Sequence, residues 1–422
     1  MTTRQMSLCA FLLRHGHHVA AWRHPDTDLV APPFAVYREL VEKAERAALD
    51  AVFFADSVAL TGAPSLEPIT LLSALAAVTE RIGLIATATT TYNEPYHVAR
   101  LFASLDSISN GRAGWNLVTS DNAAEAANFG RDRHVEHGQR YVRAREFHQV
   151  VDGLWRSWEE GAFVNDKAAG KLLDPGRVRQ LDHQGEHFRV AGPLNVPPSP
   201  QGRPLVVQAG SSEPGRALAA ATADVVFTAQ PSLAAAQAFY RDMKERVVQQ
   251  GRTAHSLRIT PGIFAVVGKT EGEARDKFAT LQGLIEPQAG LALLGRMIGN
   301  FDLSGYPLDG PLPALPETAD GQRSRQQLLT QLAQGENLTI RQLYERIAGG
   351  RGHLTVVGTA AQVADQMQLW FENEAADGFN LMPPTLPGGL DDLLELVVPE
   401  LQRRGLFRTA YDSSTLRGHL KL

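Results

Sequence analysis

The chain has 422 residues and a hydrophobic fraction of 44%, which allows a large folded core and is ordinary for a globular protein. Its 41 basic and 46 acidic residues give a formal net charge of -5 without a long basic run, so neither nucleic acid nor an anionic membrane is an expected partner. The single cysteine, Cys9, excludes an intrachain disulfide framework and a clustered thiolate metal site.

The first element in chain order is an apolar run at residues 6–13, which predicts a strand. The run is too short to cross a bilayer, and it soon meets Arg14, His15, His17 and His18. We therefore predict neither a signal peptide nor a membrane span, and we expect a cytoplasmic protein.

Along the rest of the chain, short β-type runs alternate with helical stretches, which is typical of a parallel sheet with helices packed outside it. The further predicted strands are residues 50–56, 82–87, 111–120, 204–209, 224–228, 258–267 and 377–382. The predicted helices include residues 34–48, 68–79, 96–107, 137–158, 232–250, 323–332, 356–371 and 390–404. Eight strands in this alternation favour a (β/α)₈ barrel over a doubly wound sheet, and no GxGxxG motif follows the first strand.

The predicted fold is therefore α/β, a TIM barrel in one domain that spans residues 1–422. Two stretches break the alternation and predict insertions, at about residues 160–200 and 283–350. The second is rich in glycine and proline punctuation. A segment of this length inside a compact domain is usually a lid, a binding loop or an insertion.

Polar residues cluster where the predicted strands end, which in a barrel is the edge that carries the active site. In chain order they are His17 and His18, Asp56, Thr87, Asn116 with Thr119 and Ser120, and Gly210 with Ser211 and Ser212. Without an HExxH motif or a dense carboxylate cluster, the set predicts no metal site. Hydroxyls, an amide and imidazoles suit a polar aromatic ligand that carries a phosphate, and a glycine with two serines at a helix start suits the phosphate itself.

Two further candidates, His137 and Tyr141, lie one turn apart on a predicted helix and so share a face. Each candidate also has an ordinary structural interpretation. Asp56 and the serine pair could cap helices, and His137 with Tyr141 could be plain surface residues. The histidines after the first strand could belong to a solvated loop.

Several longer segments match a known family. They read AAWRHP at residues 20–25, FFAD at 53–56, ATATTTYNEPYHVAR at 86–100, GRAGWNLVTS at 111–120 and GPLNVPPSPQGRPLVVQAGSSEPGR at 192–216, with VVGTAAQVAD and DGFNL near the end. In these segments the chain resembles the flavin-dependent monooxygenases related to bacterial luciferase, within the nitrilotriacetate, EDTA and dibenzothiophene-sulfone monooxygenase branch. The resemblance spans nearly the whole chain.

The resemblance implies a luciferase-like barrel that binds FMN as FMNH₂, made by a separate NAD(P)H:flavin reductase, and uses it with O₂ to oxygenate a small organic substrate. It implies flavin contacts at matching positions, with Asn116 close to the ring system: Asp56, Thr87, His137, Tyr141, Ser211 and Ser212. It also implies a homodimer or a homotetramer.

We therefore predict the oxygenase component of a two-component FMN-dependent monooxygenase, with His17 and His18 as catalytic residues that face the substrate and residues 283–350 as a cover over the flavin. Two rivals stay open, a deazaflavin-dependent oxidoreductase and a non-catalytic flavin-binding protein. The substrate is open as well: a pocket lined by Arg or Lys would indicate a carboxylated molecule, and one lined by Phe and Leu an apolar one.

Overall fold

The computed structural model describes residues 4–60, 64–120, 122–316 and 323–422. The strands are β1 (Ser7–Phe11), β2 (Ala51–Phe54), β3 (Gly83–Thr89), β4 (Ala113–Val118), β5 (Phe163–Asp166), β6 (Lys171–Leu173), β7 (His183–Gln184), β8 (Arg189–Val190), β9 (Leu205–Gln208), β10 (Val225–Thr228), β11 (Arg258–Gly268), β12 (Leu354–Thr359) and β13 (Gly378–Met382).

The helices are α1 (Pro33–Arg46), α2 (Pro68–Ala76), α3 (Pro95–Ile108), α4 (His137–Trp155), α5 (Glu213–Thr222), α6 (Leu233–Gln249), α7 (Glu271–Gly283), α8 (Pro287–Met297), α9 (Arg323–Gly335), α10 (Ile340–Ile347), α11 (Ala360–Glu372), α12 (Gly388–Asp392), α13 (Val398–Arg403) and α14 (Leu416–His419). A π-helical turn, Leu393–Val397, joins α12 to α13 just before Pro399, which has no N–H to donate to the preceding turn. None of the described helices is long and apolar enough to cross a bilayer.

Eight strands close into a parallel barrel in the order β1, β2, β3, β4, β9, β10, β11 and β13, and the pairing of β13 with β1 completes the ring. Strands such as β9 and β10 are buried along their whole length, because helices cover the outside while side chains fill the inside. The predicted (β/α)₈ barrel is confirmed, with β9, β10, β11 and β13 as its fifth to eighth strands.

The predicted helix at residues 356–371 is wrong over its first turn. Leu354–Thr359 forms β12, which pairs with the second half of β11 outside the ring, and α11 begins only at Ala360. The β-branched run at residues 355–357 favours the strand. Thr359 then begins α11 through a capping box with Gln362, so residues at the boundary determine the change from strand to helix.

The amino-terminal end of the barrel is closed from inside by α14. Leu416 packs into the barrel interior in one cluster with Cys9, Ile85 and Val207. Gly83 makes this insertion possible, because a Cβ atom there would lie 2.4 Å from the Leu416 Cδ1 atom. Burial raises the pKa of the Cys9 thiol, which is consistent with a packed residue and not with a reactive one.

Buried carboxylates at this same end precede three barrel strands, and each one is paired. Every carboxylate accepts a hydrogen bond from a backbone N–H of a neighbouring strand and contacts a basic side chain: Asp50 with Arg408, Asp224 with Arg203, and Asp377 with Lys244 and Arg4. The amino-terminal end therefore has its buried charge compensated.

The segment at residues 283–350 is more helical than predicted. The single predicted helix at 323–332 corresponds to α9, and α8 and α10 flank it, so that the three helices share a hydrophobic cluster separate from the barrel core. Helix α8 was not predicted, because its glycine residues made the sequence there resemble a loop. A Cβ at Gly290 would lie 2.6 Å from the Tyr344 ring, so the glycine permits close helix packing instead of marking a loop.

Candidate active site

The carboxyl-terminal end of the barrel carries buried polar groups that have no hydrogen-bond partner among the residues that the structure describes. The opposite end holds a small cleft lined by residues including Arg258, Arg408 and His419, but α14 and the paired carboxylates close the barrel there. Among the described residues, no group of three or more His, Cys, Asp or Glu side chains could hold a metal ion. The polar groups at the carboxyl-terminal end are hydroxyls, amides, imidazoles, guanidinium groups and the carboxylate of Asp56.

Thr87 and Asn116 lie opposite each other on β3 and β4, and both are buried. The Asn116 Nδ2 atom donates to the Thr87 Oγ1 atom at 2.8 Å, and that hydroxyl donates to the Phe54 carbonyl at 2.8 Å. The Asn116 Oδ1 atom is buried and has no partner among the described residues. A buried acceptor in this state is uncommon in folded proteins and suits a ligand that donates an N–H.

Asp56 follows β2 and is half-buried. Burial raises its pKa, and the nearby carboxylates of Glu67 and Glu125 add to the effect, while the Ser57 backbone N–H partly offsets it. Glu125 is buried and accepts a hydrogen bond from the Ser57 hydroxyl at 2.8 Å. Asp56 therefore lies at the rim in an environment that disfavours its charged form.

The starts of α4 and α5 lie side by side. Ser212 caps α5 by accepting from the Gly215 N–H at 3.3 Å, and its hydroxyl donates to the Tyr141 Oη atom at 3.4 Å. The Tyr141 ring lies 5.0 Å from that of His137, edge to face. A Cβ at Gly215 would lie 3.1 Å from the Tyr141 Oη atom, so the glycine keeps this corner open. Ser211, by contrast, is exposed and does not cap the helix.

One buried network at this corner escaped sequence analysis. Arg140 on α4 donates to the Ser120 carbonyl at the end of β4 and to the His134 Nε2 atom at 2.6 Å. Because a guanidinium only donates, His134 carries its proton on Nδ1 and donates to the Tyr92 Oη atom at 2.7 Å. An arginine at a helical position predicts a solvated side chain, so nothing in the local pattern marked Arg140 as buried.

His17 and His18 follow β1 and are both buried. The His17 Nε2 atom lies 3.0 Å from the Phe11 carbonyl and donates to it, which leaves its Nδ1 atom as an acceptor without a partner in the described part of the chain. The His18 Nδ1 atom accepts from the Ala20 N–H at 3.2 Å, so its Nε2 atom carries the proton and has no partner among the described residues. Burial, and then the charge of Arg351, lowers the pKa of His18 to about 4.

Arg351 and His353 join these histidines, and sequence analysis missed both because the predicted insertion stopped at residue 350. The loop reads GGRGH at residues 349–353. Its backbone lies directly on the barrel, since a Cβ at Gly349 would lie 2.2 Å from the Phe264 Cζ atom. His353 stacks on Phe227 at 5.0 Å, and Gly262 leaves the space that its imidazole occupies. The sequence pattern that could have marked these two residues is an arginine flanked by glycines just before a strand.

The carboxyl-terminal end thus has two halves. We call Asp56, Thr87, Asn116, Tyr141 and Ser212 the hydroxyl half, and His17, His18, Arg351 and His353 the basic half. Of the predicted site residues, the first half gathers those beside β2, β3, β4 and β9, with His137 and Ser211 at its rim. His17 and His18 follow β1, which pairs with β2 and β13, and they lie next to the loop after α10.

Comparison with known proteins identifies the family. The family model for luciferase-like monooxygenases matches residues 13–377. The chain is 52% identical to nitrilotriacetate monooxygenase component A of Aminobacter aminovorans and 51% identical to N-acetyl-S-(2-succino)cysteine monooxygenase of Bacillus subtilis strain 168. Each match covers 99% of this chain and 97% of the relative.

A solved structure of riboflavin lyase, with modified FMN and riboflavin, is 33% identical to the chain and superposes with a TM-score of 0.87, covering 99% of this chain and 95% of that one. These matches confirm the family predicted from the sequence segments. The chain belongs to the luciferase-like monooxygenase family, in the branch with the nitrilotriacetate, EDTA and dibenzothiophene-sulfone monooxygenases.

Proposed function

We propose that the chain is the oxygenase component of a two-component monooxygenase that takes FMNH₂ from a separate NAD(P)H:flavin reductase and uses O₂ to oxygenate a small organic substrate. The observation that carries the proposal is the buried Asn116 Oδ1 atom beside Thr87, an acceptor without a partner among the described residues. Two relatives support it: one is named component A of its enzyme, and the riboflavin lyase structure contains modified FMN.

The residues of the hydroxyl half fit FMN by their chemistry. Asn116 and Thr87 would hold an N–H-bearing edge of the flavin ring, with Asp56 at the rim of the ring pocket. Ser212, Ser211 and Tyr141 would hold the phosphate, because the start of α5 offers hydroxyls and backbone N–H groups beside an open glycine corner. His137 would lie beside these phosphate-binding residues, because its ring contacts that of Tyr141.

When bound and reduced, the flavin supplies the electrons with which O₂ is activated. The tasks of the chain are to orient the ring, to position the substrate and to exclude water. Residues 283–350 would provide the cover. In support, the Val19 N–H donates to the Ala348 carbonyl at 2.8 Å, which joins this segment to the chain just after His17 and His18.

We propose that His17 and His18 face the substrate as neutral hydrogen-bonding groups. Burial lowers the pKa of both, so neither is a proton donor of the imidazolium type at neutral pH. Alanine at both positions should uncouple turnover, so that oxygen is consumed and peroxide released with little product. Coupled turnover in that double variant would remove the assignment.

The proposal is tested by oxygen consumption with FMN, NADH and a flavin reductase, using ¹⁸O₂ and mass spectrometry to detect the label in product. The expected result is substrate-dependent label that disappears without the reductase. A deazaflavin-dependent oxidoreductase would turn over without O₂ and give no label. A non-catalytic flavin-binding protein would bind FMN and form no product with any substrate. Either outcome would replace the proposal.

A further inference from the structure

The basic half of the carboxyl-terminal end holds a charge that no described residue neutralises. The Arg351 side chain makes no hydrogen bond or ion pair with any described residue, and its Nε atom is buried. Burial, and then the charges of Arg325 and Arg296, lowers its pKa to about 10, so the guanidinium stays protonated at neutral pH. Arg351 is part-buried, and its charge has no counter-charge among the described residues, so it is available to an anionic ligand.

The tautomers of the neighbouring histidines decide which of them can assist. His17 presents the lone pair of its Nδ1 atom, which would repel an anion. His18 presents its Nε2 proton, which has no partner among the described residues. The Val19 N–H donates to the Ala348 carbonyl at 2.8 Å, and Gly349 packs against the Phe264 ring, whose centroid lies 6.5 Å from that of His18. The loop that carries Arg351 therefore meets His18 in one region. The site therefore offers a charged fork and one neutral donor to a ligand.

Backbone conformation and close glycine contacts hold the loop that carries Arg351 in place. Arg351 has a φ of 48°, a left-handed conformation that is unfavourable for a residue with a side chain. Gly352, the next residue, also has a positive φ, of 88°, which a glycine tolerates better than an arginine. The tight contacts of Gly349 with Phe264 and of Gly350 with Thr355 leave the loop little room to relax.

The residues around Arg351 and His18 indicate which kind of anion would bind. Phe11, Phe227 and Phe264 form an aromatic floor beneath the histidines, with Phe11 4.5 Å from His17 and 5.7 Å from Phe227. Apolar surroundings strengthen an ion pair between Arg351 and an anionic ligand. The flat aromatic rings also accommodate a planar ligand group of low charge. A guanidinium fork binds a planar carboxylate through two parallel hydrogen bonds.

We propose that Arg351 and His18 form a carboxylate-binding subsite, so that the molecule oxygenated by this protein is a small carboxylated compound. The inference rests on the proposed function, since it names the substrate class of that enzyme. It adds a specificity-determining residue, Arg351, that lies apart from the hydroxyl half.

The test is a calorimetric titration of the FMN-loaded protein with acetate, succinate and tricarballylate, each compared with its methyl ester, and with inorganic sulfate. At least one carboxylate should bind more tightly than its ester. Arg351→Gln should weaken that binding at least about 30-fold, because the bound carboxylate would lose its charged hydrogen-bonding partner. Arg351→Lys keeps the charge but loses the fork, and it should give an intermediate loss.

Arg241→Gln, at an exposed arginine on α6, is the matched control and should bind the carboxylate like the wild type. Circular dichroism melting verifies that each variant is folded. The proposal is overturned if no carboxylate binds, if sulfate alone binds, if esters bind equally well, or if both Arg351 variants retain wild-type affinity.

The same titration on protein without FMN separates this inference from the proposed function. Carboxylate binding that depends on Arg351, in a protein that fails to bind FMN, would defeat the proposed function and keep the subsite. Labelled oxygen in an uncharged product, with unchanged turnover in Arg351→Gln, would keep the function and defeat the subsite.

Discussion

The two ends of the barrel differ in how their buried polar groups are paired, although His419 at the amino-terminal end also leaves its Nδ1 atom without a partner among the described residues. At the amino-terminal end, Asp224 and Asp377 each contact a basic side chain at 2.8 Å and accept a backbone hydrogen bond. At the carboxyl-terminal end, Asn116, His18 and Arg351 each leave a buried polar atom without a partner among the described residues. The first arrangement stabilises the fold, whereas the second keeps binding capacity for ligands and costs stability.

The largest loss of stability is expected when Asp377 is replaced. Asp377→Ala should lower the free energy of unfolding by about 3–5 kcal/mol, because Lys244 would be left buried without its partner. Urea unfolding measures the loss. The matched control is Asp365→Ala, which removes a carboxylate that is 61% exposed and paired with Arg404, and it should cost far less. Equal losses in the two variants would contradict the structural role of the amino-terminal end.

The pH dependence of stability should also separate the two ends. Burial lowers the pKa of His18 to about 4, so its contribution is complete above the unfolded value of about 6.5 and is lost as pH falls toward 4. Burial alone would raise the pKa of Asp377, but Lys244, the Ile259 N–H and Arg4 hold it below its usual value. That contribution is lost only as pH falls below about 4.

His18→Gln should therefore reduce the loss of stability between pH 7.5 and 5 by about 2 kcal/mol relative to the wild type. Urea unfolding at the two pH values measures the difference. His97→Gln, at an exposed histidine on α3, serves as the control. A wild-type pH response in His18→Gln would show that His18 is not held neutral by the fold.

A smaller effect distinguishes the two serines at the start of α5. Ser212→Ala should lower stability by about 1 kcal/mol, because Ser212 caps the helix through the Gly215 N–H. Ser211→Ala should be nearly neutral for stability, since Ser211 is exposed and is not the cap. Both variants should weaken FMN binding. Loss of stability without loss of FMN affinity in Ser212→Ala would reduce this residue to a helix cap.

The sequence predicted the barrel and all five residues of the hydroxyl half. Four of them follow from local patterns of apolar runs and polar tips at strand ends, and Tyr141 follows from helical spacing. It did not predict Arg351 and His353. Their position depends on Gly349 lying against Phe264 and on Gly262 making space for an imidazole, contacts between segments far apart in the chain. Helix α8 was missed for the same reason, since the role of Gly290 appears only when Tyr344 lies against it.

The most direct test of this account is an anaerobic calorimetric titration with reduced FMN and reduced riboflavin, which differ by the phosphate. FMN should bind at least about 10-fold more tightly, because charge-assisted hydrogen bonds at the start of α5 favour the phosphate. Ser212→Ala should narrow this preference, and Arg351→Gln should leave it unchanged. Equal affinities for the two flavins, or a preference lost in Arg351→Gln instead, would contradict the division of the carboxyl-terminal end into a flavin half and a substrate half.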